Sequence, residues 1–336
     1  MVERLKMKDT QEQWKCLGFP TKQTHIFPNI VNVEVFRGAC PCNCSHCPVG
    51  STPAENRTMR FGARAIDLGL FEKIAAETGC HDWASLRIHS VGEPVLWPGL
   101  PEALQIAHKN NARPWLFTCG VTNRRDYLDA ICDYASIVEV SVNSIDSGNY
   151  LETKGIDAFE LVCENIGYIH KRISKRGSNR LIVSRVQSQD PVLDEAFVSF
   201  WKSSGLVHDA FIRSYHTYND CIPKLCNSGS GSLEHQPCLV HWARFNIGIT
   251  GDAVVCFNEL FKESLHPGVV MGDVKKHSIS EIWHNEKYRA LRKAELLNDY
   301  SGFAQAEALP CLNCSNRQPL NGQRQTSEHQ LRQTTL

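Results

Sequence analysis

The feature that most constrains this chain is an eight-residue run carrying four cysteines, Cys40-Pro-Cys42-Asn-Cys44-Ser-His46-Cys47. It follows directly on an apolar, strand-like stretch at residues 31–36. The whole chain holds 15 cysteines in 336 residues, an odd and large number. With no secretory leader in sight, cysteines clustered like this read as metal ligands or catalytic thiols rather than disulfides. Cys40, Cys44 and Cys47 have the spacing C-x3-C-x2-C. Three thiolates can hold three irons of a [4Fe–4S] cube and leave the fourth open to a ligand that chelates through an amine and a carboxylate. Cys42 falls outside that spacing, and a compact four-cysteine loop could also take zinc. Zinc, however, favours two short Cys knuckles separated by a longer loop.

What surrounds the loop sets the fold class. Short strand-like runs recur at residues 31–36, 86–90, 115–118, 137–142, 181–185 and 210–213. Helix-like segments separate them. In the clearest, Phe159, Val162, Cys163, Ile166, Ile169 and Ile173 fall three or four apart, on one helix face. Six β–α units in a row predict an α/β fold with a parallel sheet. Six are too few to close an eight-stranded barrel, so a partial (β/α)6 barrel is expected, with its chemistry at the C-terminal strand ends. The stretch Asn227-Ser-Gly-Ser-Gly-Ser232 reads as a flexible linker. The expected layout is an N-terminal extension (1–30), a core (31–226), a linker (227–235), a small cysteine-bearing module (236–320) and a polar tail (321–336).

The triad and its place after the first strand resemble the radical S-adenosylmethionine (SAM) superfamily. There SAM binds the open iron, and an electron from the cluster cleaves it to a 5′-deoxyadenosyl radical. Under that resemblance, Cys40, Cys44 and Cys47 hold the cluster. His46 stands where the superfamily has a ring near adenine. Ser90-Val-Gly92-Glu93-Pro94 is similar to the Gly-Gly-Glu-Pro segment that meets SAM's amino group, with Val91 in place of the first glycine. Ser141 and Asn143 end the fourth strand, and Arg185 and Gln187 the fifth, where the superfamily contacts SAM or substrate. Those four polar residues could equally satisfy loop backbone.

A second set follows: Cys238, then Gly251-Asp-Ala-Val-Val-Cys256, then Cys311-Leu-Asn-Cys314, with Gly272-Asp-Val274 and Ile282-Trp283 between. The stretch resembles the auxiliary-cluster modules of the SPASM and twitch families. No cysteine follows Cys314, so the resemblance implies the shorter, twitch-like form. Cys238, Cys256, Cys311 and Cys314 would then hold one auxiliary [4Fe–4S] cluster. A structural four-cysteine zinc site is the alternative.

Lys+Arg equals Asp+Glu at 36 each, so nothing argues for nucleic acid. No apolar run suits a membrane span or signal peptide, and a cytoplasmic location is expected. Cys119 ends the third strand. It is either a small residue packed under SAM or a thiol able to return a hydrogen atom. Cys221 and Cys226 are weaker thiol candidates, while Cys132 and Cys163 read as core. Arg213, Tyr215, His216 and Tyr218 after the last strand, with His241 and Arg244, suit a polar or carboxylated small molecule. Local phrases, among them residues 28–35 and 236–244, resemble the cytosylglucuronic acid decarboxylases of nucleoside-antibiotic pathways. The overall layout also resembles aminocyclitol dehydrogenases. The resemblance implies an external flavodoxin- or ferredoxin-type electron donor. The reading from another class is a non-catalytic binding protein stabilised by zinc or iron–sulfur.

Overall fold

The computed structural model describes residues 26–173, 179–218, 221–222, 237–238 and 240–314. The expected linker at 227–235, the tail, most of the N-terminal extension, and Cys16 and Cys226 lie outside the described residues.

In chain order the strands are β1 (Ile30–Arg37), β2 (Arg64–Ala65), β3 (Ser85–Val91), β4 (Trp115–Thr118), β5 (Ile137–Ser141), β6 (Arg180–Val186), β7 (Asp209–Arg213), β8 (Arg244–Ile247), β9 (Asp252–Val254) and β10 (Val270–Asp273). The helices are α1 (Pro48–Ser51), α2 (Ala54–Phe61), α3 (Leu68–Gly79), α4 (Leu100–Lys109), α5 (Arg125–Tyr134), α6 (Ser147–Lys154), α7 (Phe159–Ile173), α8 (Pro191–Ser203), α9 (Val240–Ala243), α10 (Ile279–Trp283) and α11 (Glu286–Leu297). Local chemistry sets many of the helix starts. Asp67, Asp146 and Asp190 accept backbone N–H bonds at the heads of α3, α6 and α8, and Ser278 with Glu281 forms a capping box on α10.

All six expected core strands are present and parallel, β1-β3-β4-β5-β6-β7 in spatial order. The order is linear, so the sheet is open, as a partial barrel requires. Alternation along each strand separates two faces. Val31, Val33, Val35, Leu86, Ile88, Leu116, Val138 and Val140 pack outward into the core under the helices. The opposite face carries a small apolar floor, Ile30, Trp115, Ile137, Ile182 and Phe211. Above it Arg87 of β3, Glu139 of β5 and Arg213 of β7 meet side chain to side chain. Contact between alternate strands is the layering of a curled sheet.

The C-terminal module is continuous with the core, because its first strand joins the core sheet. β8 pairs in parallel with β1 (Ile30↔Arg244 to Val33↔Ile247), and β9 and β10 extend the sheet antiparallel. The physical reason lies in β1, whose outer edge would otherwise present unpaired N–H and C=O groups. A buried amide pair, Asn32 Nδ2 to Asn246 Oδ1 at 3.0 Å, locks the register.

Candidate functional site

The loop after β1 is held from several sides. Arg57 of α2 is buried, and its guanidinium donates to the carbonyls of Cys40 (2.7 Å) and Thr52 (2.9 Å) and to Asn43 Oδ1 (2.6 Å). The C-terminus of α6 packs on the loop's other side. Asn43 N–H donates to Lys154 O at 2.7 Å, and Asn43 Nδ2 to Gly155 O at 3.1 Å. Gly155 is left-handed (φ 67°), and a Cβ there would lie 2.7 Å from that of Asn43. Inside the loop the thiols converge. Cys42 clusters with Cys119, Cys40 and Cys44, and the neighbouring thiols, Cys119 foremost, push its pKa down. Burial pushes the Cys47 thiol up. Soft thiols gathered in a buried pocket suit iron–sulfur ligation.

Beside the thiols lies a polar cradle. Gly92 brings the end of β3 against the loop; a Cβ there would stand 2.4 Å from Ala39 O. Ser90 Oγ and Tyr150 OH are buried without a hydrogen-bond partner among the described residues. Lys154, 2% exposed, donates to Ser141 Oγ at 3.2 Å. Burial opposes its charge, but the surrounding thiols of Cys44, Cys42, Cys119 and Cys40 outweigh burial and raise its pKa. A buried cation beside orphaned hydroxyls fits an amino acid's carboxylate and ammonium, as SAM carries. Glu93 is turned inward. Its carboxylate accepts from Thr118 Oγ1 (2.5 Å), Cys119 N (2.7 Å) and Val95 N (3.1 Å), while burial raises its pKa.

Other expected residues are drawn into internal braces. His46 Nε2 lies 3.1 Å from Asn143 Nδ2. Burial first, then Lys154 and Arg185, depress the His46 pKa to about 3, so the ring is neutral. Arg185 is engaged by Asp194 Oδ1 (2.9 Å) and by the backbone carbonyl of Asn143. It braces Asn143, whose φ is 65°. Its guanidinium also donates to Asn149 Oδ1 at 3.2 Å. Arg213 is gripped in bidentate fashion by Glu139 (2.7 and 2.6 Å). His216 is half-buried near Tyr218, with ring centroids 6.1 Å apart. Cys221 is half-buried, Cys132 is fully core, and Cys163 is half-buried against the core.

The inward face of the sheet forms a polar lumen in which the expected Arg213 is joined by residues that the motif-based reading missed: Asn32, Arg87, His89, Glu139 and Asn246. Period-two polar positions in otherwise apolar strands were the available signal, as in Val31-Asn-Val-Glu-Val35 and Leu86-Arg-Ile-His89.

The second cysteine set also converges. Cys238, Cys256, Cys311 and Cys314 act electrostatically on one another, and burial pushes the first three thiols up, Cys256 to about 12. Tyr218, Phe257 and Phe261 form an apolar wall reaching from the Cys40 and Cys47 side to this module.

The fold and the two thiol sets match known families. Residues 35–196 match the model of the radical SAM superfamily, and residues 238–315 that of the SPASM iron–sulfur cluster-binding domain. The chain belongs to the radical SAM superfamily and carries a SPASM-type domain; SAM and a [4Fe–4S] cluster belong to the first, auxiliary iron–sulfur to the second. It is 23% identical over 291 residues to the SAM-dependent 2-deoxy-scyllo-inosamine dehydrogenase of Niallia circulans, across 86% of this chain and 93% of that one. In fold it is similar to BtrN in complex with AdoMet and 2-DOIA (TM-score 0.53, 16% identity, 86% of this chain and 94% of that one). It is also similar to Streptococcus suis SuiB bound to precursor peptide SuiA (TM-score 0.61, 13% identity, 84% and 71%). No helix among the described residues is long and apolar enough to cross a membrane.

Proposed function

We propose that this enzyme takes a hydrogen atom from a sugar-type carbon of a polar small molecule in an antibiotic pathway, and that the outcome is decarboxylation of a uronic-acid unit. The observation that carries this reading is the polar lumen beneath the cluster loop. Groups on β1, β3, β5, β7 and β8 there pair with one another, and a hydroxyl-rich ring would exchange with those pairs. It already holds one carboxylate, that of Glu139, between the guanidiniums of Arg87 and Arg213.

Cys40, Cys44 and Cys47 would hold the SAM-side cluster, and Cys238, Cys256, Cys311 and Cys314 the auxiliary one. Gly92, Ser90, Ser141 and Lys154 would seat the methionine end of SAM, and His46 and Asn143 would border it. With an electron from a flavodoxin- or ferredoxin-type donor, bound SAM supplies a 5′-deoxyadenosyl radical. Arg213, with His216 and Arg244, orients the substrate carboxylate. A carbon radical next to the carboxylate-bearing carbon would lose carbon dioxide and take up a proton. The carbon radical that remains would be closed by one electron and one proton from the donor, or by a hydrogen atom from the Cys119 thiol, whose thiyl radical the same electron and proton would restore. The polar chemistry and reduced thiols suit the cytoplasm.

Dehydrogenation is the second reading, favoured by the likeness to the Niallia circulans dehydrogenase. Anaerobic incubation with SAM, a reductant and candidate nucleoside uronic acids, read by mass spectrometry, separates the two. Loss of the mass of carbon dioxide is expected. Loss of two hydrogens, with the carbon count intact, would replace it with the dehydrogenase reading.

A further inference from the structure

The auxiliary cysteines share a buried carboxylate and imidazole. Glu295 of α11 and His241 of α9 are 0% and 2% exposed. Glu295 Oε2 accepts the Cys238 N–H at 3.0 Å, and Oε1 accepts the Tyr300 hydroxyl at 2.6 Å. His241 Nδ1 stands 3.5 Å from Glu295 Oε1, and its Nε2 stands 3.8 Å from Cys311 Sγ. The backbone is pinned as well. His241 N–H donates to Cys238 O at 3.1 Å, and Arg292 Nε donates to His241 O at 2.8 Å. Neither side chain figured in the ligand set.

We propose that His241, lying between two anionic acceptors and carrying an N–H on each ring nitrogen, turns Nδ1 to Glu295 and donates from Nε2 to the Cys311 sulfur, raising the reduction potential of the auxiliary cluster. This rests on the reading of Cys238, Cys256, Cys311 and Cys314 as its ligands. A ligating sulfur carries no proton, so a hydrogen bond at Cys311 has to come from the ring. A donor at a cluster sulfur favours the more negative, reduced cluster. Without the imidazole in between, the Glu295 carboxylate would face the anionic sulfur and favour the oxidised state. His241, Glu295 and Cys311 place ligand atoms within 4.8 Å of one another, so His241 as an iron ligand is the rival role. Glu295 is a positioning residue: it sets which way the ring points.

The test is an EPR-monitored redox titration of the reconstituted full-length enzyme, with iron counted in parallel. His241→Gln keeps an amide donor near the Nε2 position, whereas His241→Leu removes it. Both should keep wild-type iron. His241→Leu should shift the auxiliary reduction equilibrium about tenfold toward the oxidised form, about 59 mV for one electron. His241→Gln, which restores the donor but not the charge, should recover part of the shift, and the SAM-side cluster should keep its potential in both. A wild-type auxiliary potential in His241→Leu would overturn the proposal. Loss of about four irons in both variants would overturn it too, making His241 a ligand. Cys311→Ala checks the underlying assignment separately. If that variant kept all of its iron, the ligand reading would fail first.

Discussion

Lys154 shows how one side chain can escape a sequence. It ends an ordinary polar helix, Ser147-Gly-Asn-Tyr-Leu-Glu-Thr-Lys154, with nothing in spacing or motif to single it out. Only the fold buries it beside Ser141 and among the thiols of Cys40, Cys42, Cys44 and Cys119. Hydrogen bonds to charged groups contribute about 1.5–3 kcal/mol. Lys154→Met is therefore expected to weaken SAM binding roughly tenfold to a hundredfold, with the iron content unchanged. Equilibrium binding of SAM to the reconstituted variant checks this; wild-type affinity would remove Lys154 from the SAM site. The strand-end residues teach the converse. Their position at the active face was legible, but their roles depend on partners that sequence does not pair with them. Asp194 engages Arg185 across nine residues, and Glu139 engages Arg213 across 74.

At the scale of elements, the cluster loop and α6 form one unit. Gly155 ends α6 in the left-handed region, lets the chain turn and gives Asn43 room. Gly155→Ala would combine a left-handed penalty of about 1–2 kcal/mol with a clash against Asn43. The variant is expected to lose the SAM-side cluster faster during anaerobic gel filtration while the auxiliary cluster persists. Equal retention of both would show that this contact does not hold the loop. The strands were the most legible elements, because each is a short apolar run between turn signals. Their inward faces were legible too. Asn32, Glu34, Arg87, His89 and Glu139 sit at every second position between apolar residues. That alternation encodes a polar lumen, and attention to cysteine motifs passed over it.

At the scale of the whole molecule, the two thiol sets sit on one continuous sheet. Family likeness identified the second set, yet nothing in the sequence pattern paired Arg244–Ile247 with Ile30–Val33. Such a pairing joins segments about two hundred residues apart, and short strands carry no mark of their partners. The continuity fixes both cluster regions in one frame, with Tyr218, Phe257 and Phe261 between them. The central claim is that one chain carries two distinct clusters, the first for SAM cleavage and the second on the substrate side. The most direct measurement is iron content together with 5′-deoxyadenosine formation for the wild type, Cys44→Ala and Cys311→Ala. Two cubes predict about eight irons in the wild type. Cys44→Ala should form no 5′-deoxyadenosine, whereas Cys311→Ala should still cleave SAM but yield no product. A wild-type plateau at about four irons, or SAM cleavage surviving in Cys44→Ala, would contradict the account.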